Sequence, residues 1–109
     1  MDDNELLDKI QQGDHAAFSL LVERHHQKFY HLAYRYLGHQ DEAEDMVQIA
    51  FLKLWEDPFR WNKNKGTKFT TWFYRVVINL CLDHKKKFKS LLLLSVTIAM
   101  DQAHLQKVG

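Results

Sequence analysis

The sequence predicts an all-α fold, a compact bundle of about four helices, and three observations carry that expectation. Apolar residues recur at three-and-four spacing almost throughout the chain. No segment keeps the strict apolar–polar alternation of a half-buried strand. Four glycines and one proline in 109 residues leave few breaks, and most of them fall between the periodic segments, where helices end.

The first helix, residues 3–12, is short and marked by Leu6, Leu7 and Ile10. Gly13 and Asp14 end it, and the Asp14 carboxylate is placed to cap the next helix by accepting from a free first-turn amide. That helix, residues 15–37, is the long one. Phe18, Leu21, Val22, His25, Phe29, Leu32, Ala33 and Tyr36 form its buried stripe, and Gly38 stands where a helix commonly closes. A third helix follows Asp41, read as its cap. Glu42, Glu44 and Asp45 then form an acidic first turn that complements the helix dipole, and Pro58 closes the helix near Glu56.

Residues 57–67, DPFRWNKNKGT, form a loop mixing turn formers, aromatics and cations. A fourth helix starts at about Lys68 and ends at Lys87 or Lys89, with Phe69, Phe73, Val76, Val77, Leu80 and His84 inward. After it two readings stay open, since the leucines at 91–94 suit a helix while Val96, Thr97 and Ile98 suit a strand. Residues 1–89 are therefore expected to form the helical domain and 90–109 a linker or tail.

Fifteen Lys and Arg against 14 Asp and Glu give a net charge of only +1, but the charge is polarised along the chain. Residues 1–59 carry 12 acidic and 5 basic side chains, whereas residues 60–89 carry 9 basic and 1 acidic. Such asymmetry points to two partners of opposite sign. The single Cys81 excludes an internal disulfide and a thiolate zinc site, and no secretory leader pattern opens the chain, so a reducing cytoplasm fits. The longest apolar run falls short of the ~20 residues of a membrane span. His25, His26, His31, His39 and His84 invite a metal reading, but His25 lies on the apolar stripe and no carboxylate pair has ligand spacing. No metal and no cofactor are expected. An enzyme is the weakest class, because there is no nucleophile with a partnered base, no glycine-rich phosphate loop and no carboxylate pair set in an apolar pocket.

Two helix faces carry more information. On the third helix Ala43, Met46, Val47, Ala50, Phe51 and Leu54 gather as a core stripe, while the opposite face presents Asp41, Asp45, Gln48, Ile49, Leu52 and Trp55. An apolar patch rimmed by charge is how a protein-binding surface looks; the alternative is that another helix or the tail covers Leu52 and Trp55. On the fourth helix Arg75, Asn79 and Lys86 lie within about 40° of one another on the outside. Arg and Asn can read base edges as well as phosphate, and Lys85, Lys86 and Lys87 add sequence-independent attraction to a nucleic-acid backbone. Just upstream, Phe59, Trp61, Phe69, Trp72, Phe73 and Tyr74 place six aromatics within 16 residues, interleaved with Arg60, Lys63, Lys65, Lys68 and Arg75. Rings among cations suit unpaired bases. Phe69 and Phe73 are assigned inward, Trp72 to the border, and Phe59 and Trp61 to exposure.

The run DEAEDMVQIAFLKLWED, the basic aromatic loop, and GTKFTTWFYRVVINLCLDHKKK together resemble the conserved second region of bacterial sigma factors of the extracytoplasmic-function type. The resemblance covers roughly residues 14–89. It implies a non-enzymatic transcription initiation domain of the sigma region 2 type. By that resemblance Asp41, Asp45, Gln48, Ile49, Leu52 and Trp55 dock on the clamp helices of the RNA polymerase beta-prime subunit. Arg60, Trp61, Asn62, Lys63, Lys65, Lys68, Trp72, Arg75, Asn79, Lys85, Lys86 and Lys87 contact promoter DNA, the loop capturing a base flipped from the non-template strand of the minus-ten element. An anti-sigma factor is a further expected partner. Ile49 departs from the family, which usually has an acidic residue there, and the helix-turn-helix region that reads the minus-thirty-five element is absent. The chain is then either an excised domain or one with a natural departure after Lys89. The competing class is a helical interaction module that binds a regulatory partner without reading DNA.

Overall fold

The computed structural model describes residues 1–61 and 66–108, with side-chain surroundings through Met100. Every regular element among them is helical: α1 (Asp3–Gln11), α2 (His15–Leu37), α3 (Gln40–Glu56), a 3-10 turn (Pro58–Arg60) and α4 (Phe69–Val108). The central element is α2, which packs against α1, α3 and α4, while α3 also packs on α4.

Local chemistry sets most of the boundaries. Asp14 Oδ1 accepts from the Ala17 amide at 3.1 Å, the cap read from the sequence, and Asp2 does the same for α1, accepting from Glu5 N at 2.8 Å. Each such cap is worth about 1 kcal/mol, because a first-turn N–H has no partner inside its own helix. Gly38 closes α2 at φ 72°, a left-handed geometry that lets its N–H reach the Tyr34 carbonyl. The expected Asp41 cap is corrected: α3 begins at Gln40, its N-cap is His39, and no side-chain hydrogen bond caps it. Asp41 instead lies within the first turn, where its charge favours the helix through the dipole alone.

The core is aromatic at its centre. Phe73 meets Phe29, Phe51 and Phe69 with ring centroids 4.8, 4.7 and 5.2 Å away, joining α2, α3 and α4 at one point. The predicted stripes of α2 and α3 face this centre, with Leu21, His25, Phe29 and Ala33 buried on one and Ala43, Met46, Val47, Ala50, Phe51 and Leu54 on the other. On α4 the buried line is Phe69, Phe73, Val77 and Cys81. Burial raises the Cys81 thiol above its ordinary pKa, against a smaller opposing effect of Lys85, which keeps it a protonated packing group at neutral pH.

The end of α4 differs from the expectation. The helix does not stop at 87 or 89 but continues unbroken for 40 residues, and the strand reading of 96–98 is overturned. Leu, Ala, Met and Lys are good helix formers, and no glycine or proline interrupts the segment before Gly109. All described side chains from Lys85 to Met100 are exposed. The molecule measures 70 Å along its longest axis but only 24 and 23 Å across.

Candidate functional site

Three of the histidines, His25, His26 and His84, make contacts between helices. His25 Nε2 lies 2.9 and 3.0 Å from the two carboxylate oxygens of Asp3, joining α1 to α2, and Arg24 adds a 2.9 Å contact to the same carboxylate. His26 Nε2 lies 2.8 Å from Glu44, joining α2 to α3. His84 Nε2 stands 3.5 Å from Glu42, a longer contact between α4 and α3 that makes no hydrogen bond. Burial pushes the Asp3 carboxyl up, but hydrogen bonding and charge from His25 and Arg24 outweigh it and hold Asp3 below the usual carboxylate range. Glu44 is lowered mainly by its hydrogen bond from His26.

These contacts fix the first candidate surface. Asp41, Asp45, Gln48, Ile49 and Leu52 are exposed on the outer face of α3, Leu52 at 52%, while Trp55 is half-buried. Among the described residues neither the tail nor a second helix covers Leu52. Trp55 leans on α2 instead, its ring 4.5 Å from His15 and 5.1 Å from Phe18. Between the two helices runs an apolar groove of about 520 Å³, floored by Phe18, Val22, Phe51 and Trp55 and edged by Leu52, His15 and the His26–Glu44–Gln48 cluster. In that cluster Gln48 donates to Glu44 at 3.2 Å. The α2 half of this surface was missed from sequence. Its signal was a second line on α2 at 15, 18, 22 and 26, hidden because Phe18 and Val22 also fit the core stripe.

The second surface belongs to α4 and the segment before it. Phe69 and Phe73 are buried and Trp72 is half-buried, as expected, while Arg60, Lys68, Arg75, Asn79, Lys85, Lys86 and Lys87 are exposed. The core line 69, 73, 77, 81 forces Arg75 and Asn79 outward on the opposite side of the same helix. Asn62, Lys63 and Lys65 lie outside the described residues.

Trp61 corrects the expectation of exposure. It is 4% exposed and packs against Phe69 and Trp72 with centroids 6.2 and 6.0 Å away, so no face of its ring is free to stack on a base. Its indole N–H has no hydrogen-bond partner among the described residues. The aromatic rings in this segment that do meet solvent are Phe59, 68% exposed, and Tyr74, 43% exposed. A cleft of about 380 Å³ opens beside Trp61, between Asp2, Asp3 and Asn4 of the N-terminal segment and residues 66–70 at the start of α4. Gly66, at φ 72°, makes the turn into that helix.

Two oppositely charged helix faces, the outer side of α3 and that of α4, are thus held on one small bundle. The family model described as Sigma-70 region 2 matches residues 21–90. The chain belongs to the sigma-70 region 2 family. It is similar to ECF RNA polymerase sigma factor SigW of Bacillus subtilis, 38% identical over 81 residues, covering 74% of this chain and 42% of that protein. It is also similar to RNA polymerase sigma-H factor of Pseudomonas aeruginosa, 35% identical over 82 residues, covering 75% and 42%. The ECF RNA polymerase sigma-E factor of Escherichia coli K12 is 38% identical over 84 residues, covering 75% and 41%. The matched part is thus about two fifths of these relatives' length. Among solved structures, the NMR structure of an engineered region 2 of sigmaE in complex with GTAAAA superimposes with a TM-score of 0.71 at 34% identity. It covers 80% of this chain and 88% of that one.

Proposed function

We propose that this chain is the polymerase-docking and promoter-opening domain of an extracytoplasmic-function sigma factor, acting in the cytoplasm on RNA polymerase. The observation that carries the reading is the superposition with an engineered sigmaE region 2 in complex with GTAAAA. A fold shared at this level supports placing a single-stranded, A-rich minus-ten element against the exposed face of α4. Arg75 and Asn79 lie one turn apart there and supply donors for base edges. Lys68, Lys85, Lys86 and Lys87 hold phosphate and give affinity without sequence. Phe59, rather than Trp61, offers the ring on which an unpaired base stacks, and Asn62, Lys63 and Lys65 complete the capture loop.

Melting proceeds by capture. Unpairing costs a few kcal/mol, least at flexible A·T-rich steps, and each base stacked on a ring returns about 1–3 kcal/mol. The domain performs no bond chemistry; that belongs to the polymerase. The opposite, acidic side of the bundle docks on the beta-prime clamp helices through Asp41, Asp45, Gln48, Ile49, Leu52 and Trp55, and the same side is available to an anti-sigma factor. A module that binds a protein without reading DNA would leave the exposed Arg75–Asn79 pair and the lysines beyond it without a role.

The test uses the whole chain with polymerase core and matched or mismatched minus-ten elements at several salt concentrations. Asn79→Ala lowers open-complex formation and the preference for the matched element while leaving the salt slope nearly unchanged. Replacing Lys85, Lys86 and Lys87 weakens both elements alike and reduces the slope by roughly one per lost phosphate contact. Equal losses on both elements for Asn79→Ala remove the base-reading assignment.

A further inference from the structure

Among the described residues two surfaces lack a partner within the chain, and they complement each other. One is the α2–α3 groove, apolar along its floor, with the exposed carboxylates of Asp41 and Asp45 on the same side of α3. The other is the distal part of α4. Leu91, Leu92, Leu93 and Leu94 are 62, 52, 60 and 57% exposed, and a run of lysines at 85–87 and 89 immediately precedes them. Four consecutive leucines at this exposure leave apolar area that a soluble surface does not keep without a use. The helix carries them away from the bundle, so the groove of the same chain is not what covers them.

We propose that the distal α4 segment of one copy seats in the α2–α3 groove of a second copy, two chains exchanging tails to close a dimer. Three properties fit. The apolar stretch at 91–100 spans about 15 Å of helix, close to the run of α3 from Glu44 to Trp55 that edges the groove. The lysines leading into the tail are opposite in sign to the acidic first turns of α3, whereas parallel tail-to-tail pairing would set lysine runs against each other. Leu93, Val96 and Met100 lie within about 60° of one another on the helix and are all exposed, so one side of the tail carries a continuous apolar line for the groove. Mutual exchange uses each surface once per chain and closes on itself, as a two-fold dimer requires.

The contact also has a regulatory consequence, which alone rests on the docking role proposed for α3. A seated tail hides Leu52 and Trp55, so a second copy and the polymerase compete for one face.

Analytical ultracentrifugation of the 109-residue chain tests the pairing without polymerase. The expected result is a monomer–dimer equilibrium that weakens as salt rises, since the attraction is partly between exposed charges. Leu93→Glu and Leu52→Glu, both at exposed positions, each weaken self-association at least about tenfold with unchanged helicity by circular dichroism. Mixing the two variants restores association, because one intact tail then meets one intact groove. A monomer throughout the accessible concentration range overturns the proposal. So does a dimer that survives Leu52→Glu, which means tails pair with tails, and so does a tail that binds anionic vesicles while the chain stays monomeric. Adding core polymerase is the separate arm: displacement of the dimer supports competition, whereas an undisturbed dimer removes the shared-face reading and leaves the pairing standing.

Discussion

The two halves of α4 share one backbone and live in different surroundings. From Phe69 to Cys81 every fourth residue is fully packed, Phe73 and Val77 at 0% exposure, whereas from Lys85 to Met100 no described side chain is buried. Helix propensity serves both halves, but only the first adds tertiary burial, the larger source of helical stability in a folded protein. The order of the second half therefore depends on what covers it.

The sharpest way to break that contrast is to shave a ring from each half. Phe73→Ala removes the side chain on which three helices converge and costs about 3–5 kcal/mol. Leu93→Ala in the distal half changes stability by no more than about 0.5 kcal/mol. Urea melts of both variants, at concentrations low enough to keep the chain monomeric, read the difference directly, and similar losses would show that the tail packs on its own bundle. A second pair separates packing from reading within the proximal half. Trp61→Ala costs about 3 kcal/mol, because a buried ring leaves a cavity, while Asn79→Ala leaves the melt within about 0.5 kcal/mol of the parent and acts on promoter selectivity alone.

Acid compares the bundle with the tail. The folded pKa values of Asp3 and Glu44 lie below their ordinary 3.8 and 4.5. Their contribution is therefore complete above those ordinary values and is lost as pH falls through the lowered ones. Stability followed by thermal melts should drop on acidification from about pH 5 to pH 3, with Asp3→Asn flattening part of the drop. The smallest effect expected is that of removing the tail. At the same low concentrations, truncation after Lys89 leaves the cooperative melt within about 0.5 kcal/mol, and a truncated chain that melts without cooperativity would show that residues 90–109 belong to the core.

The proximal fold was legible because its signals are local. Asp14 before a periodic run, Gly38 after one, and stripes at three-and-four spacing each follow from the geometry of a single helix, and so does the outward placement of Arg75 and Asn79. What escaped depends on neighbours that sequence does not show. The contacts of His25, His26 and His84 join residues 18 to 42 positions apart, and nothing on any one helix announces them. Trp61 was assigned to solvent for its place among turn formers and cations, but Phe69 and Trp72 of α4 enclose it. The groove surface was half legible, since α3 displayed Leu52 and Trp55 while the contribution of α2 was absorbed into its core stripe. The open reading of residues 90–109 had a different cause: leucines favour helix, Val96, Thr97 and Ile98 favour strand, and only the uninterrupted backbone of α4 decides between them.

That unbroken backbone also sets a phase. Each residue turns the helix by about 100°, so the direction in which Leu93 points is locked to the direction in which Asn79 points, with no loop between them to absorb a mismatch. One residue inserted among the lysines at 85–89 would swing the whole tail by about 100° while leaving every packed residue of the bundle in place; seven would bring it back to within about 20°. Chain length between the two halves of α4 thus behaves as an angular setting.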